Sequence, residues 1–185
     1  MKYREKGKIP ARTSLLGFGC MRFPVNEDGK INRPETMKML DYAYEHGVNY
    51  IDTAYPYHNF EEVVGQWVAT KPRGSFYLVT KSPTWMCKDI ADFDRILEEQ
   101  LTKLQTSYID FYLLHALSRE RWEHIKEMNL LPHLKSVLDS GKVVGYINEC
   151  ERLGIQVLPP SVNESRSAFT VAGDHIRFGL LAVKN

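Results

Sequence analysis

Four side chains in this sequence are of types that could do acid–base chemistry together: Asp52, Tyr57, Lys81 and His115. A phenol with its ordinary pKa near ~10 is a poor acid at neutral pH. A neighbouring ammonium favours the phenolate and makes the proton easier to give up. The ammonium in turn needs an anchor, which a carboxylate such as Asp52 supplies. A histidine can donate to a substrate oxygen and orient it. Such a set protonates a carbonyl oxygen while hydride reaches its carbon, and the hydride must come from a nicotinamide cofactor.

Each residue also has a plainer role. Asp52 could cap the segment after it, and Tyr57 is one of ten tyrosines. Lys81 could be a solvated strand end and His115 a satisfied core histidine. The joint pattern favours a site, because the elements bearing these residues repeat. Val48 to Asp52 is a β-branched and aromatic run, started by Gly47 and ended by an acid. Phe76 to Lys81 is a second run and ends in a lysine; Ile109 to His115 is a third and ends in a histidine. Strands separated by helices, with titratable groups at their C-terminal ends, are how a (β/α) barrel builds an active site.

The helices between them follow from spacing. Pro34 suits a first helical position, Met37, Leu40 and Tyr44 mark one face, and Gly47 is the stop. Glu61 to Lys71 is a second helix with Val63, Val64, Trp67 and Val68 on its apolar side. Asp89 or Asp92 caps a third, with Phe93, Ile96, Leu97, Leu101 and Leu104 in helical period. Ser118 to Leu138 is a fourth helical region; Trp122, Ile125, Leu134, Val137 and Leu138 are its core candidates and Pro132 its interruption. Upstream, Thr13 to Cys20 is a short apolar run ending in Gly17-Phe-Gly19, and Asp28-Gly29 marks a turn.

A fifth strand is due near Lys142, but there the text changes character. Tyr146 to Leu153 reads as a short helix and Ile155 to Leu158 as a strand stopped by Pro159-Pro160. Ser161 to Ser167 is polar loop, and Phe169 to Phe178 alternates about a turn as a β-hairpin does.

Composition narrows the function classes. The chain of 185 residues carries 24 basic and 23 acidic side chains, which gives no net pull toward nucleic acid or anionic membrane. No run reaches the ~18 apolar residues of a membrane span. Cys20, Cys87 and Cys150 lie far apart, which suits reduced thiols in a cytoplasmic protein and no metal site. Asn163-Glu-Ser165 matches a glycosylation sequon that, without a secretory leader, is read as chance.

Residues 1 to about 143 resemble the N-terminal half of an aldo/keto reductase. The matching motifs are Gly17-Phe-Gly-Cys-Met-Arg22, Asp52-Thr-Ala-Tyr-Pro-Tyr57, Val79-Thr-Lys81 and Tyr108-Ile-Asp-Phe-Tyr-Leu-Leu-His115. The resemblance implies a (β/α)8 barrel reducing a small aldehyde or ketone with NADPH. It makes Tyr57 the general acid, has Lys81 and Asp52 tune it, and has His115 orient the carbonyl. It places Asp52 and the backbone of Gly19, Cys20 and Met21 near the nicotinamide ribose. The bacterial subgroup it most resembles ends in a cysteine cluster that this chain does not carry. A whole barrel takes ~250 residues, with phosphate contacts after strands seven and eight; the match covers about four βα units.

From about Tyr146 to Asn185 the text is similar to an internal segment of the bacterial DNA polymerase III alpha subunit, outside the carboxylates of its catalytic metals. Four basic and four acidic residues balance there, so nucleic acid is not expected as a partner. The expected architecture is a partial TIM barrel over 1–143 with an α+β tail over 144–185. The exposed edges of a half barrel lead us to expect self-association. The expected function is NADPH-dependent carbonyl reduction, impaired by the missing cofactor half. The alternatives are an inactive truncated or chimeric chain and a replication-associated binding fragment acting through the tail.

Overall fold

A computed structural model describes residues 1–6, 9–56, 59–146, 156–158, 170–172 and 175–177. The chain divides into two compact units, Met1–Tyr146 and Ile147–Asn185. In the first, β1 (Tyr3–Lys6) and β2 (Ile9–Ser14) form an antiparallel hairpin. Then follow β3 (Phe18–Gly19), α1 (Arg33–Glu45), β4 (Tyr50–Asp52), α2 (Phe60–Val68) and β5 (Tyr77–Ser82). The unit closes with α3 (Ile90–Lys103), β6 (Ile109–Leu114), α4 (Arg119–Glu127), α5 (Leu130–Asp139) and β7 (Val143–Tyr146).

Strands β3 to β7 make one parallel sheet in sequence order, each joined to the next through helical segments. That is the (β/α) arrangement of a partial TIM barrel. The strand due near Lys142 is present as β7, so the sheet has five strands where the text suggested about four. Tyr146, read as the start of a helix, is instead the last residue of this strand.

Local chemistry accounts for the helix boundaries. The Asn32 side chain accepts from Glu35 N at 3.1 Å and caps α1, with a proline at the first positions. The helix ends where Gly47 takes φ +86°, a conformation L side chains resist. Of the two candidate caps for α3, Asp89 does the work, accepting from Asp92 N at 2.9 Å. Phe93, Ile96, Leu97, Leu101 and Leu104 are buried as their spacing predicts, each worth roughly 1.5–3 kcal/mol relative to exposure.

The fourth helical region differs from expectation. Its break is at Asn129, which takes φ +53°, and not at Pro132. Pro132 lies in the first turn of α5, where backbone N–H groups have no intrahelical acceptor and a proline loses nothing. Leu138, read as core, is exposed.

The β1–β2 hairpin, which the text did not suggest, packs at the N-terminal end of the sheet. Asn49, just before β4, accepts from Ser14 N at 2.7 Å and donates to Arg12 O at 2.9 Å. Arg12 N donates to the Tyr77 hydroxyl at 2.9 Å. At the same end Arg73 pairs with Asp110 at 2.6 Å, and Asp110 also accepts from Leu78 N at 2.8 Å. The aspartate of the Tyr108-Ile-Asp motif is therefore a structural tie.

In the second unit, β8 (Gln156–Leu158), β9 (Thr170–Ala172) and β10 (His175–Arg177) form a sheet in the order β8–β10–β9. β10 is antiparallel to β9 and parallel to β8, so the hairpin and the strand read from the text are both there. The rest of the expected helix over 147–153 and the loop 161–167 lie outside the described residues, as do Cys150 and Asn163. Among the described residues no helix is long and apolar enough to cross a membrane, and no cluster of His, Cys, Asp and Glu could hold a metal ion.

Candidate active site at the carboxyl ends of the strands

Sheet register brings three of the four residues together. Gly19 lies opposite Asp52, Asp52 opposite Val79, and Lys81, two residues on, opposite Leu113. His115 follows β6 directly, and its N–H donates to Ser82 O at 3.0 Å. Because side chains alternate faces along a strand, Asp52, Val79 and Lys81 share one face of the sheet.

The Lys81 ammonium sits in a cradle of oxygen atoms. Nζ is 2.8 Å from both Asp52 carboxylate oxygens and 2.7 Å from Thr53 O. The lysine side chain is 13% exposed and the aspartate 32%, so the pair opens to solvent on the Asp52 side. The three oxygens match the three N–H donors of the ammonium, and the carboxylate makes two of these contacts charge-assisted.

His115 is half-buried. Burial first, then the charges of Lys81 and Arg121, hold its imidazole below the usual histidine range, with Asp52 opposing. The ring is therefore neutral at neutral pH and retains one N–H donor. Trp85 flanks it, with ring centroids 5.3 Å apart. Arg121 lies 4.2 Å over the Trp85 ring and donates to Ala116 O at 2.6 Å. Trp85, Arg121 and His124 line a cleft on this side.

The Gly19–Met21 segment runs beside Asp52, because Cys20 N donates to Asp52 O at 2.7 Å. Gly19 and Met21 are exposed, and the space above Gly19 is open. Cys20 is fully buried; burial and the Asp52 charge push its thiol up, so it stays protonated. Tyr57 lies outside the described residues. On its N-terminal side Tyr55 is anchored, donating to Glu99 at 2.7 Å; Asn59 holds the N-cap position of α2 without a side-chain capping bond.

Two parts of this neighbourhood escaped the sequence reading. One is the Trp85–Arg121 wall, whose residues are 36 positions apart in the text and carry no local signal. The other is a buried polar cluster behind Lys81, made by Glu61, Thr80, Gln100 and Tyr112. Here a signal existed. Gln100 falls on the α3 apolar stripe between Leu97 and Leu104, and a polar residue on such a stripe must find partners.

Known proteins resemble the two parts of the chain separately. The family model described as aldo/keto reductase family matches residues 15–147, and a helix-hairpin-helix motif model matches residues 154–185. The uncharacterized oxidoreductase YqkF of Bacillus subtilis is 32% identical over 127 residues, which cover 63% of this chain and 39% of that protein. The DNA polymerase III subunit alpha of Thermus aquaticus is 57% identical over 47 residues, 25% of this chain and 4% of that protein. Among solved structures, the holo form of aldo-keto reductase AKR11C1 from Bacillus halodurans aligns with a TM-score of 0.64 at 23% identity, over 90% of this chain and 60% of that one. The chain thus spans less than two thirds of each of these three proteins. Both resemblances read from the sequence are borne out.

Proposed function

This chain belongs to the aldo/keto reductase family, and on that premise we propose that its five-stranded parallel unit carries an NADPH-dependent carbonyl-reduction site. The observation that carries the reading is the Lys81 ammonium held between both Asp52 oxygens and Thr53 O, with His115 at the end of the next strand.

The geometry of Asp52, Lys81 and His115 supports the following roles. Asp52 and Thr53 O fix where the Lys81 charge sits. That charge favours the phenolate of Tyr57 and so releases the phenolic proton to a substrate oxygen. Neutral His115 offers an N–H to the same oxygen without adding charge to the site. NADPH, when bound, supplies the hydride. The residues present fit its nicotinamide end: Asp52 keeps a partly exposed carboxylate able to accept ribose hydroxyls, beside the open backbone of Gly19 to Met21. Among the described residues at this end, Lys81 is engaged by Asp52 and Arg121 by Ala116 O and Trp85. A diphosphate is therefore expected to gain little from either cation.

The substrate class is a small aldehyde or ketone, and the site lies in the N-terminal portion of the chain. The test is a titration of the full chain with NADPH, following quenching of tryptophan fluorescence, to which Trp85 beside His115 contributes. Saturable binding in the micromolar range supports the reading. Absence of binding up to millimolar NADPH refutes it.

A second reading, a chain without turnover, is favoured by the sheet edges. Among the described residues β3 pairs only with β4 and β7 only with β6. Unpaired parallel edges invite another chain, and a self-associated form follows from the same observation. Strictly monomeric elution at micromolar concentration would count against self-association.

A further inference from the structure

Behind the Lys81 strand lies a buried hydrogen-bonded cluster whose four members come from four different elements. Thr80 Oγ1 donates to Glu61 Oε1 at 2.6 Å. Gln100 Nε2 lies 2.6 Å from that same oxygen, 2.9 Å from Thr80 Oγ1 and 3.3 Å from Lys81 O. Tyr112 donates its hydroxyl to Gln100 Oε1 at 2.6 Å. Glu61, Thr80, Gln100 and Tyr112 are all at most 1% exposed.

The elements joined are those that bear the site. Glu61 is in the first turn of α2, four residues after Tyr57. Thr80 precedes Lys81 on β5, and Tyr112 on β6 is three residues before His115. Gln100, on α3, touches all three.

The backbone of β5 explains why Gln100 is needed at that level. Carbonyl groups of a strand alternate between its two edges. Val79 O faces β4 and accepts from Thr53 N at 2.8 Å, while Ser82 O faces β6 and accepts from His115 N at 3.0 Å. Lys81 O therefore faces the β4 side, beyond Asp52 where β4 ends. The Gln100 amide reaches it there. The cluster is also costly. Glu61 Oε2 is buried with no hydrogen-bond partner, and burial pushes this carboxyl up against the bonds from Thr80 and Gln100. Replacing hydrogen-bonded partners together by apolar groups of the same shape can be nearly neutral, so stability alone does not account for the cluster.

We propose that Gln100 is a positioning residue: through one amide it fixes the start of α2 and the ends of β5 and β6, and with them the mutual placement of Lys81 and His115. The proposal rests on the carbonyl-reduction reading for the roles of those two residues. Its geometry stands independently of cofactor binding.

The test is Gln100→Met in the full chain, read by the NMR titration of the histidine rings, with His115 identified by its loss in His115→Gln. The groups that face His115 are Lys81 of β5, Arg121 of α4 and Asp52 of β4, with Trp85 against the ring. Once Lys81 leaves its seat and the strand end opens to water, the His115 midpoint should rise by about half a unit or more. A side chain that only packs would lower the melting temperature and leave that midpoint in place, so an unchanged midpoint overturns the proposal. Should Gln100→Met not fold, Tyr112→Phe decides: it removes one hydroxyl, and a smaller rise supports the proposal whereas no rise overturns it. Neither variant needs NADPH, so failure of the cofactor titration and failure of this proposal are separate results.

Discussion

Replacing Gly65 by alanine sets two effects of opposite sign against each other. Gly65 lies in the middle of α2, and helix propensity alone favours alanine there by about 1 kcal/mol. The position is not open, however. A Cβ added to Gly65 would fall well inside contact with the Lys103 carbonyl oxygen and 2.9 Å from both Cα and C of Leu104. These are backbone atoms at the end of α3, and no rotamer change moves them. Leu104 is fully buried and its N–H is bonded to Gln100 O at 2.8 Å. The end of α3 can retreat only by opening the core. Overpacking of this kind costs about 1–3 kcal/mol, and more where backbone must shift. We take the upper part of that range, so the steric term wins and Gly65→Ala should destabilise by about 2 kcal/mol net of propensity. For a unit of this size that is a drop of about 4–8 °C in melting temperature. Circular dichroism melts of Gly65→Ala and the parent chain measure it, with Gly74→Ala as control because a Cβ there meets open space. A melting temperature equal to or above that of the parent would refute the reasoning.

Three further outcomes are expected. On the proposed carbonyl-reduction reading, Lys81→Met should cut turnover by at least ~100-fold in steady-state assays while the chain still unfolds cooperatively, because the ammonium that the reading uses to favour a phenolate is gone. Arg73→Met should cost about 2–3 kcal/mol in urea unfolding, since it leaves the Asp110 carboxylate, 12% exposed, with the Leu78 N–H as its remaining partner among the described residues. His115 has a folded-state pKa below the ordinary ~6.5 of the unfolded chain. The unfolded state then binds the proton first, so its contribution to stability is present above pH ~6.5 and is lost as pH falls through the folded value. Melts between pH 7 and 5 should show that loss, and His115→Gln should flatten it.

Strands and helices with internal chemistry were legible in the sequence. The 109–114 strand, the Asp89 cap of α3 and the apolar stripe of that helix all follow from local pattern. What local pattern could not give is structure that exists through pairing. β1 and β2 read Tyr-Arg-Glu-Lys and Ile-Pro-Ala-Arg-Thr-Ser, too charged and too interrupted to suggest strands. Asn49 and Tyr77 tie β2 to the end of the sheet, and β1 is held by its ladder to β2. β7 is four residues with a glycine inside, and only its ladder to β6 defines it. Pro132 drew attention as a helix breaker, yet a proline in a first turn is silent, and the break belongs to Asn129 because its left-handed backbone turns the chain. In the candidate site, Asp52, Lys81 and His115 were legible because each stands at, or next to, the carboxyl end of a strand. Thr53 O and Gln100 were not, because a backbone carbonyl has no letter of its own and Gln100 shows only as a polar break in an apolar stripe.

Sheet order has a consequence for how the chain is made. β3 through β7 are laid side by side in the order in which they are synthesised, and no strand waits for a partner more than one helical crossover away. Loop closure is correspondingly cheap at each step. As the nascent chain lengthens, each strand finds its seat on an edge that already exists, so the sheet can grow strand by strand from β3 and β4 outward. The Asp52–Lys81 pair completes as soon as β5 docks, and His115 joins it one crossover later. A ribosome stalled shortly after His115 has emerged should therefore already display the three residues in place, which limited proteolysis of arrested chains would reveal as protection extending through β6.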